Sequence, residues 1–226
     1  MEKRQLSEKN KLLLQIIIGF AGAIVGLLYV WTFNRYVFMS LPLITRMILS
    51  FINYWTIMLI PILVMLFSKD RLADYGFAAK KLGIQLLTGI AIGLAMSFLL
   101  TLIPIFVGLG DYVNNGNQYQ YAWQFVYEFV YCIVGVSLTE EFVFRGLLFS
   151  KLKALSGSFT VALLCTSVLF GLFHFLNGNI LQIFITGLIG AFFCFCREKI
   201  KNCSLLSLII AHGIYDALIT LWAFVF

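Results

Sequence analysis

Residues 139–146 read Thr-Glu-Glu-Phe-Val-Phe-Arg-Gly, and they place three charged side chains inside one of the most apolar parts of the chain. A charge at membrane depth is costly, so it is expected to have a partner or a task. On a helix, Glu141 and Arg145 share one face, with the acid on the N-terminal side as such a pair prefers. Glu140 points about 100° away from Glu141 and has no such neighbour. The sequence therefore singles out Glu140 as a candidate functional group.

The composition around this stretch is that of an integral membrane protein. The chain has 226 residues, of which 62% are hydrophobic and 12% charged, whereas soluble domains are about 25% charged. We predict a single all-α membrane domain over residues 1–226, with about seven transmembrane helices and its motif-bearing core at 122–226. The predicted spans are residues 12–33, 47–67, 84–107, 122–153, 159–176, 180–196 and 204–226. The fourth is too long for one simple crossing, which predicts a long, tilted helix.

The basic residues indicate the orientation of these spans. With the N-terminus inside, all of the 16 lysines and arginines except Arg35 and Arg46 fall on the cytoplasmic side, as the positive-inside rule requires. This pattern predicts a cytoplasmic N-terminus and an external C-terminus in a multi-pass cell-membrane protein. The net charge of +6 is then a topology signal, and it does not indicate nucleic-acid binding.

The five cysteines fall within or beside apolar segments, and none has the flanking His or second Cys pair of a zinc knuckle. Disulfides need an oxidising aqueous environment. These side chains are therefore predicted to be small buried hydrophobic groups. They are Cys132, Cys165, Cys194, Cys196 and Cys203.

The loop between the second and third spans, 68–82, contains the segment Leu-Ala-Asp-Tyr-Gly-Phe at 72–77. It has the composition of a short amphipathic turn. From the residues alone, we interpret it as an interfacial connector on the cytoplasmic side, because nothing local argues for more.

Polar side chains recur in the later spans. The chain has only two histidines, His174 and His212, and both lie in predicted spans. Phe170 and His174 are four residues apart, as are His212 and Asp216, so each pair shares a helix face. At about 1.5 Å per residue, Glu140, both histidines and Asp216 lie roughly 12–25 Å from the cytoplasmic ends of their helices. The four are therefore predicted at a similar depth, provided that the fourth span is one long helix.

Each of these residues also has a structural interpretation. A membrane histidine is often an interhelical hydrogen-bond donor, and Glu141 with Arg145 makes a helix-packing pair. Glu128 lies nearer the outer end of its span and is interpreted as interfacial rather than catalytic. The combination of acids and histidines on three helices nevertheless favours a functional site, because ionisable clusters in a membrane are expensive to retain.

Two chemistries fit this set of residues. In one, a carboxylate and an imidazole activate water as a general base, while a second histidine beside a polar group holds an oxyanion. In the other, the same residues bind a divalent metal, for which Zn²⁺ is the natural choice. That metal set is Glu140, His174, His212 and Asp216. Both chemistries predict hydrolysis of an amide bond presented in the membrane.

The pattern resembles the CPBP (CAAX protease and bacteriocin-processing, or Abi) family of intramembrane peptidases. The motifs of that family are Glu-Glu-x-x-x-Arg, Phe-x-x-x-His and His-x-x-x-Asn/Asp. Here they stand in order as Glu140-Glu141-x-x-x-Arg145, Phe170-x-x-x-His174 and His212-x-x-x-Asp216. The Asp-Tyr-Gly-Phe sequence at 74–77 is also similar to a short segment that such proteins carry between early spans.

The resemblance implies a role for each motif. Glu140 with His174 would activate the water, and His212 with residue 216 would stabilise the oxyanion. The pair formed by Glu141 and Arg145 would hold the geometry of the site. The substrate would be a peptide or protein within or at the bilayer.

One residue departs from the pattern of the prenyl-protein proteases, which carry Asn where this chain has Asp216. An ionised Asp cannot donate a hydrogen bond to an oxyanion. It is therefore protonated, or it orients His212, or it binds a metal. The departure also argues against a eukaryotic-type prenyl-protein substrate. The short loops resemble bacterial members of the family, some of which are linked to bacteriocin immunity or to maturation of secreted peptides.

Two other functions compete with an intramembrane endopeptidase. A non-catalytic immunity or binding protein could keep the same fold, although it would have no need for the full set of motifs. A small transporter could use the same ionisable residues. Transporters are expected to show inverted repeats or helices broken by Gly and Pro at matching places in two halves, and the sequence shows neither.

Overall fold

A computed structural model describes residues 2–113, 119–177 and 180–226, and over these residues it contains helices and no strand. The α-helices are α1 Glu2–Tyr36, α2 Leu43–Ser68, α3 Leu82–Ser97, α4 Ile103–Phe106, α5 Ala122–Val130, α6 Leu138–Glu141, α7 Phe149–Ser156, α8 Phe159–Phe173, α9 Ile180–Lys199 and α10 Leu205–Val225. Three π-helical segments occur at Phe98–Leu102, Tyr131–Ser137 and Phe142–Leu148. Short 3₁₀ turns occur at Phe38–Ser40, Leu72–Tyr75, Gly110–Tyr112 and Phe175–Asn177. The all-α prediction is confirmed.

Among the described residues, five helical segments are long and apolar enough to cross a membrane. They are Ser7–Tyr36, Leu43–Ser68, Leu82–Phe106, Ile180–Lys199 and Leu205–Val225. The helix Phe159–Phe173 is apolar but shorter. The chain is thus a multi-pass membrane protein. The number of seven crossings and the orientation of the termini stay predictions.

The fourth predicted span is an unbroken helical run from Ala122 to Ser156. It is built from α5, α6 and α7, joined by the π-helical segments Tyr131–Ser137 and Phe142–Leu148. The prediction that this run is one long, tilted crossing stays a prediction. The short α6 between the two π segments carries Glu140 and Glu141. π-Helical turns are rare, and they occur frequently at functional sites.

The contacts divide the chain into two compact units. Unit 1 comprises Met1–Phe77 and Thr139–Lys201, and unit 2 comprises Ala78–Leu138 and Asn202–Phe226. Each unit is built from two separate stretches of sequence, and each is described by itself below. The prediction of one membrane domain stays a prediction.

The core of unit 1 is aromatic and surrounds the glutamate motif. Phe144 is completely buried, and its ring makes edge-to-face contacts with Phe20 of α1 and with Phe170 and Phe173 of α8. Such contacts add to the free energy gained by burying the rings. Because Phe144 lies three residues after Glu141, the same packing holds the motif residues between α1 and α8.

The interpretation of residues 72–77 as an interfacial connector is wrong for the central residue. Tyr75 is completely buried, and its ring stacks on that of Phe142 with a centroid separation of 5.4 Å. Asp74 accepts a hydrogen bond from the backbone amide of Arg71 at 2.8 Å, and this bond lowers the pKa of the Asp74 carboxyl group. The turn that it closes points Tyr75 into unit 1, which local sequence patterns cannot reveal.

The prediction of buried cysteines holds for four of the five. Cys132, Cys194, Cys196 and Cys203 are buried, whereas Cys165 is exposed, and none of the five forms a disulfide. Cys165 departs from the prediction because it lies on an outward face of α8.

Unit 2 is organised by close packing of α3 against α10. A stripe of buried residues at every fourth position of α3 faces α10, namely Gln85, Gly89, Gly93 and Ser97. A Cβ atom on Gly89 would lie 2.5 Å from the backbone oxygen of Ser207. The two glycines form a Gly-x-x-x-Gly pattern, which lets helix backbones approach closely in membranes. The sequence analysis missed this signal.

Polar contacts fix α10 against α3 at both ends. Near the start of α10, Ser204 donates its hydroxyl to Oε1 of Gln85, and Ser207 donates to the Gln85 backbone oxygen at 2.9 Å. Near its end, Nε1 of Trp222 donates to Oγ of Ser97 at 2.7 Å. Buried polar groups are costly without partners, so these bonds define the position of α10 along α3.

The first testable prediction concerns the glycine contact between α3 and α10. Gly89→Ala should destabilise the protein by about 1–3 kcal/mol, because the added methyl group meets a backbone oxygen that cannot yield without moving a helix. Thermal unfolding in detergent micelles measures this effect. Gly83→Ala is the matched control, because nothing lies within 4 Å of a Cβ at that position. Equal unfolding temperatures for the two variants would contradict the packing described here.

Candidate active site

Glu140 lies in the interior of unit 1. Its side chain is almost fully buried, with 2% of the residue exposed. The hydroxyl of Tyr54, on α2, donates to Oε1 of Glu140 at 2.5 Å. A short bond from a hydroxyl to a carboxylate is among the stronger hydrogen bonds in proteins. Tyr54 is a candidate site residue that the sequence analysis missed. Its signal in the sequence was a polar Asn-Tyr pair at positions 53 and 54 of an apolar span.

His174 is the first residue after α8 and caps its C-terminus. Its Nδ1 lies 2.9 Å from the backbone oxygen of Phe170. Because a carbonyl oxygen can only accept, Nδ1 carries a proton, and in the neutral form of the ring Nε2 then carries the lone pair. The two rings also meet edge to face, with centroids 4.9 Å apart. The predicted pairing of Phe170 with His174 is present, and it sets the tautomer of the imidazole.

The lone pair of His174 faces the glutamate. Nε2 of His174 lies 4.0 Å from Oε2 of Glu140. This distance is too long for a direct hydrogen bond, and it matches two polar groups that share one bridging water molecule. A carboxylate and an imidazole lone pair around one water can orient that water and remove its proton. Unit 1 thus brings Glu140 and His174 together.

Arg145 is completely buried, and it contacts Glu141 and Phe170. Its Nη1 donates to Oε1 of Glu141 at 2.9 Å, as the spacing predicted. The carbon atom of its guanidinium lies 4.1 Å from the ring centroid of Phe170 and 5.2 Å from that of Phe193. Cation–π contacts of this kind offset part of the cost of burying the charge. Phe170 therefore supports Arg145 with its ring and orients His174 with its carbonyl group.

The other predicted pair lies in unit 2. His212 and Asp216 are both on α10, and Nε2 of the histidine lies 3.3 Å from Oδ2 of the aspartate. His212 is buried, and the Asp216 side chain is 27% exposed. A carboxylate in this position is an acceptor for a hydrogen bond from Nε2–H. Of the three roles left open for Asp216, this contact supports the orientation of His212.

Neither unit by itself forms a metal site from its described residues. No group of three or more His, Cys, Asp and Glu side chains within either unit lies close enough together to hold a metal ion. The zinc set predicted above takes Glu140 and His174 from unit 1 and His212 and Asp216 from unit 2, and it stays a prediction.

Glu128 has a structural environment in unit 2. It accepts hydrogen bonds from the hydroxyl of Tyr119 at 2.5 Å and from Oγ1 of Thr220 at 2.8 Å. These bonds connect the residues before α5 with α10. Glu128 lies outside the three motifs and is therefore a useful control position for tests of Glu140.

The second testable prediction concerns the buried pair. Arg145→Ala should destabilise the protein by about 3–5 kcal/mol, because it leaves the Glu141 carboxylate buried without its cation. Thermal unfolding in micelles measures the loss. The double variant Glu141→Leu/Arg145→Met should recover most of the stability, since an apolar pair removes both charges. Lys153→Ala, which breaks the exposed pair of Lys153 with Glu198, should cost at most about 1 kcal/mol. A similar small loss for Arg145→Ala would argue against the buried pair.

Comparison with known protein families found one match. Residues 122–218 match the family described as type II CAAX prenyl endopeptidase Rce1-like. The matched residues include all three motifs, whereas Tyr54 and residues 72–77 lie outside the match. No curated protein and no solved structure shows significant similarity to the chain. The part of the chain at residues 122–218 therefore matches the CPBP family of CAAX protease-like membrane proteins.

Proposed function

We propose that this protein is an intramembrane endopeptidase that hydrolyses a peptide bond of a membrane-presented peptide or protein. The observation that carries the proposal is the pairing of Glu140 with His174 across 4.0 Å in the interior of unit 1. The family match is consistent with this activity.

Glu140 acts as the general base. The Tyr54 hydroxyl engages Oε1 at 2.5 Å, and Oε2 is the oxygen nearest to His174. A water molecule between Oε2 and Nε2 gives one proton to Glu140, and its oxygen attacks the carbonyl carbon of the scissile bond. Nε2 of His174 accepts a hydrogen bond from the other hydrogen of the water. That bond directs the attacking lone pair toward the substrate.

The attack converts the carbonyl oxygen into an oxyanion, which needs a donor. We assign this task to His212, with Asp216 as the residue that orients it. When both ring nitrogens carry protons, Nε2 donates to Asp216 and Nδ1 donates to the oxyanion. In this assignment the donor to the oxyanion is the histidine, and the residue at position 216 serves as its acceptor.

Collapse of the tetrahedral intermediate completes the reaction. The C–N bond breaks, and the carboxylic acid form of Glu140 returns its proton to the leaving nitrogen. The products are a new carboxyl terminus and a new amino terminus, and Glu140 is again a carboxylate. Glu141 and Arg145 do not exchange protons in this scheme, because their task is to hold the helix that carries Glu140.

The biological role is proposed from the resemblance to bacterial members of the family and from the residue at position 216. Asp216 argues against a eukaryotic-type prenyl-protein substrate, as its position in the motif implied. We therefore propose a bacterial cell-membrane enzyme, with its N-terminus in the cytoplasm, that acts in bacteriocin immunity or in maturation of secreted peptides. A zinc-dependent mechanism at the same four residues is the chemical alternative.

The third testable prediction concerns the general base. Glu140→Gln keeps the size of the side chain and removes the base, so cleavage should fall about 100-fold or more. Membranes that carry the wild type and the variant are compared by mapping new peptide termini with mass spectrometry. Glu128→Gln, which changes a glutamate outside the motifs, should leave the termini unchanged.

The outcomes of this assay separate the competing functions. Identical termini from the wild type and Glu140→Gln, with both proteins folded and inserted, would overturn the proposal and favour a non-catalytic immunity or binding protein. Cleavage that a chelator abolishes and Zn²⁺ restores would support the zinc-dependent mechanism instead.

The fourth testable prediction concerns Tyr54. Tyr54→Phe removes the hydrogen bond to Glu140 and keeps the ring, so kcat should fall about 10-fold or more, as for loss of a bond to a charged group. KM should change little, because the hydroxyl contacts the base. Tyr29→Phe, at an exposed position of α1, is the matched control. An unchanged kcat in Tyr54→Phe would show that this bond has no part in the reaction.

A further inference from the structure

Arg197, in the last turn of α9, holds the helix that follows the glutamate motif. Its Nη1 donates to the backbone oxygen of Arg145, and its Nη2 donates to Oγ of Ser150 at 3.0 Å. The guanidinium also lies over the ring of Phe149, 5.3 Å from the centroid. One side chain therefore connects the π-helical segment Phe142–Leu148 with the first turn of α7.

This connection falls where the helix departs from α geometry. The π-helical segment begins directly after Glu141. A change in the geometry of this segment would therefore turn the short helix α6, which carries Glu140 and Glu141. π-Helical turns are rare and less favourable than α-helical turns. A side-chain donor on the Arg145 carbonyl group stabilises this geometry from outside the helix.

The loop between α2 and α3 covers the other side of the guanidinium. Gly76 has φ of +92°, and a Cβ atom there would lie 2.6–2.8 Å from Nη2, Nε and Cζ of Arg197. Any larger residue would displace the guanidinium or strain the backbone. The glycine of the segment 74–77 is thus explained by the close approach of its backbone to Arg197.

Tyr75 adds a second contact from the same loop. Its ring stacks on Phe142, the first residue of the π-helical segment, with an angle of 21° between the planes. Burial raises the pKa of its hydroxyl, which stays a neutral donor to Oδ2 of Asp70 at 3.3 Å. Asp70 in turn pairs with Nζ of Lys151 in α7 at 2.5 Å. The loop therefore contacts the first residue of the π-helical segment and, through Asp70, the helix α7 that follows it.

We propose that residues 70–77 and Arg197 form a clamp that fixes the π-helical segment and thereby the position of Glu140 relative to His174. Arg197 is a positioning residue in this proposal, because the contacts described above join it to Arg145, Ser150 and Phe149. The clamp assigns a structural role to the Asp-Tyr-Gly-Phe segment at 74–77, which lies outside the three motifs. The catalytic part of the proposal rests on the endopeptidase function proposed above.

The fifth testable prediction measures the clamp without enzymatic activity. In Arg197→Ala, peptides that cover residues 142–150 should exchange backbone hydrogen for deuterium about tenfold faster, because the segment opens more often. The measurement uses the full-length protein in lipid nanodiscs and mass spectrometry. Arg197→Lys should fall between Ala and wild type, since one ammonium group cannot reproduce the two-pronged contact. Lys201→Ala, which removes an exposed charge two residues beyond α9, should match the wild type.

A turnover measurement then tests the positioning role. With a substrate identified by terminus mapping, Arg197→Ala should lower kcat about 10- to 100-fold and leave KM nearly unchanged, as expected when a catalytic group is misplaced. Arg197→Lys should restore part of kcat, whereas a purely structural role would lower only the fraction of folded enzyme. The folded fraction is measured in parallel by gel filtration.

The outcomes distinguish this proposal from the proposed function. Unchanged exchange over residues 142–150 in Arg197→Ala would overturn the clamp, whatever the activity. Faster exchange together with an unchanged kcat per folded molecule would overturn the positioning role. Faster exchange in a protein whose wild type cleaves nothing would keep the clamp and refute only the endopeptidase function.

Discussion

The burial of charge in an apolar interior is the constraint on which the rest of unit 1 depends. Glu140, Glu141 and Arg145 are all at most 2% exposed, and an unpaired charge in such surroundings would be strongly destabilising. The two acids meet this constraint differently. Glu141 pairs with a cation on the same helix, which balances its charge. Glu140 accepts a hydrogen bond from the hydroxyl of Tyr54 on another helix.

The departures from regular geometry lie around the same residues. Two π-helical segments flank the turn that carries Glu140 and Glu141, and His174 lies just beyond the end of α8. Unfavourable local geometry persists only where surrounding contacts hold it. Here those contacts come from Arg197 and Tyr75, at the ends of elements remote in sequence. The aromatic core around Phe144 and Phe170 adds close packing between the π-helical segment Phe142–Leu148 and α8.

In unit 2, polar side chains with hydrogen-bonding partners likewise fix the position of α10. Its ends are attached to α3 by Gln85 and Ser97, and its middle carries His212 with Asp216 as a local partner. The carboxylate changes the hydrogen-bonding possibilities relative to an asparagine, because it accepts and cannot donate when ionised. Within this pair, the histidine is then the hydrogen-bond donor and the aspartate the acceptor.

The sequence by itself determined the membrane class, the helical architecture and the pairs four residues apart. Long apolar runs predict helices, and helix geometry alone brings Glu141 to Arg145 and His212 to Asp216. Only the tertiary structure joined Tyr54 to Glu140, 86 residues away, and placed Arg197 against the Arg145 carbonyl group. It also showed that Tyr75, in a segment whose sequence indicates a simple connector, is buried. Periodicity reports which face of a helix is apolar, and it carries no information about which distant residue packs on that face. The Gly-x-x-x-Gly stripe of α3 was readable in the sequence, but its partner helix was not.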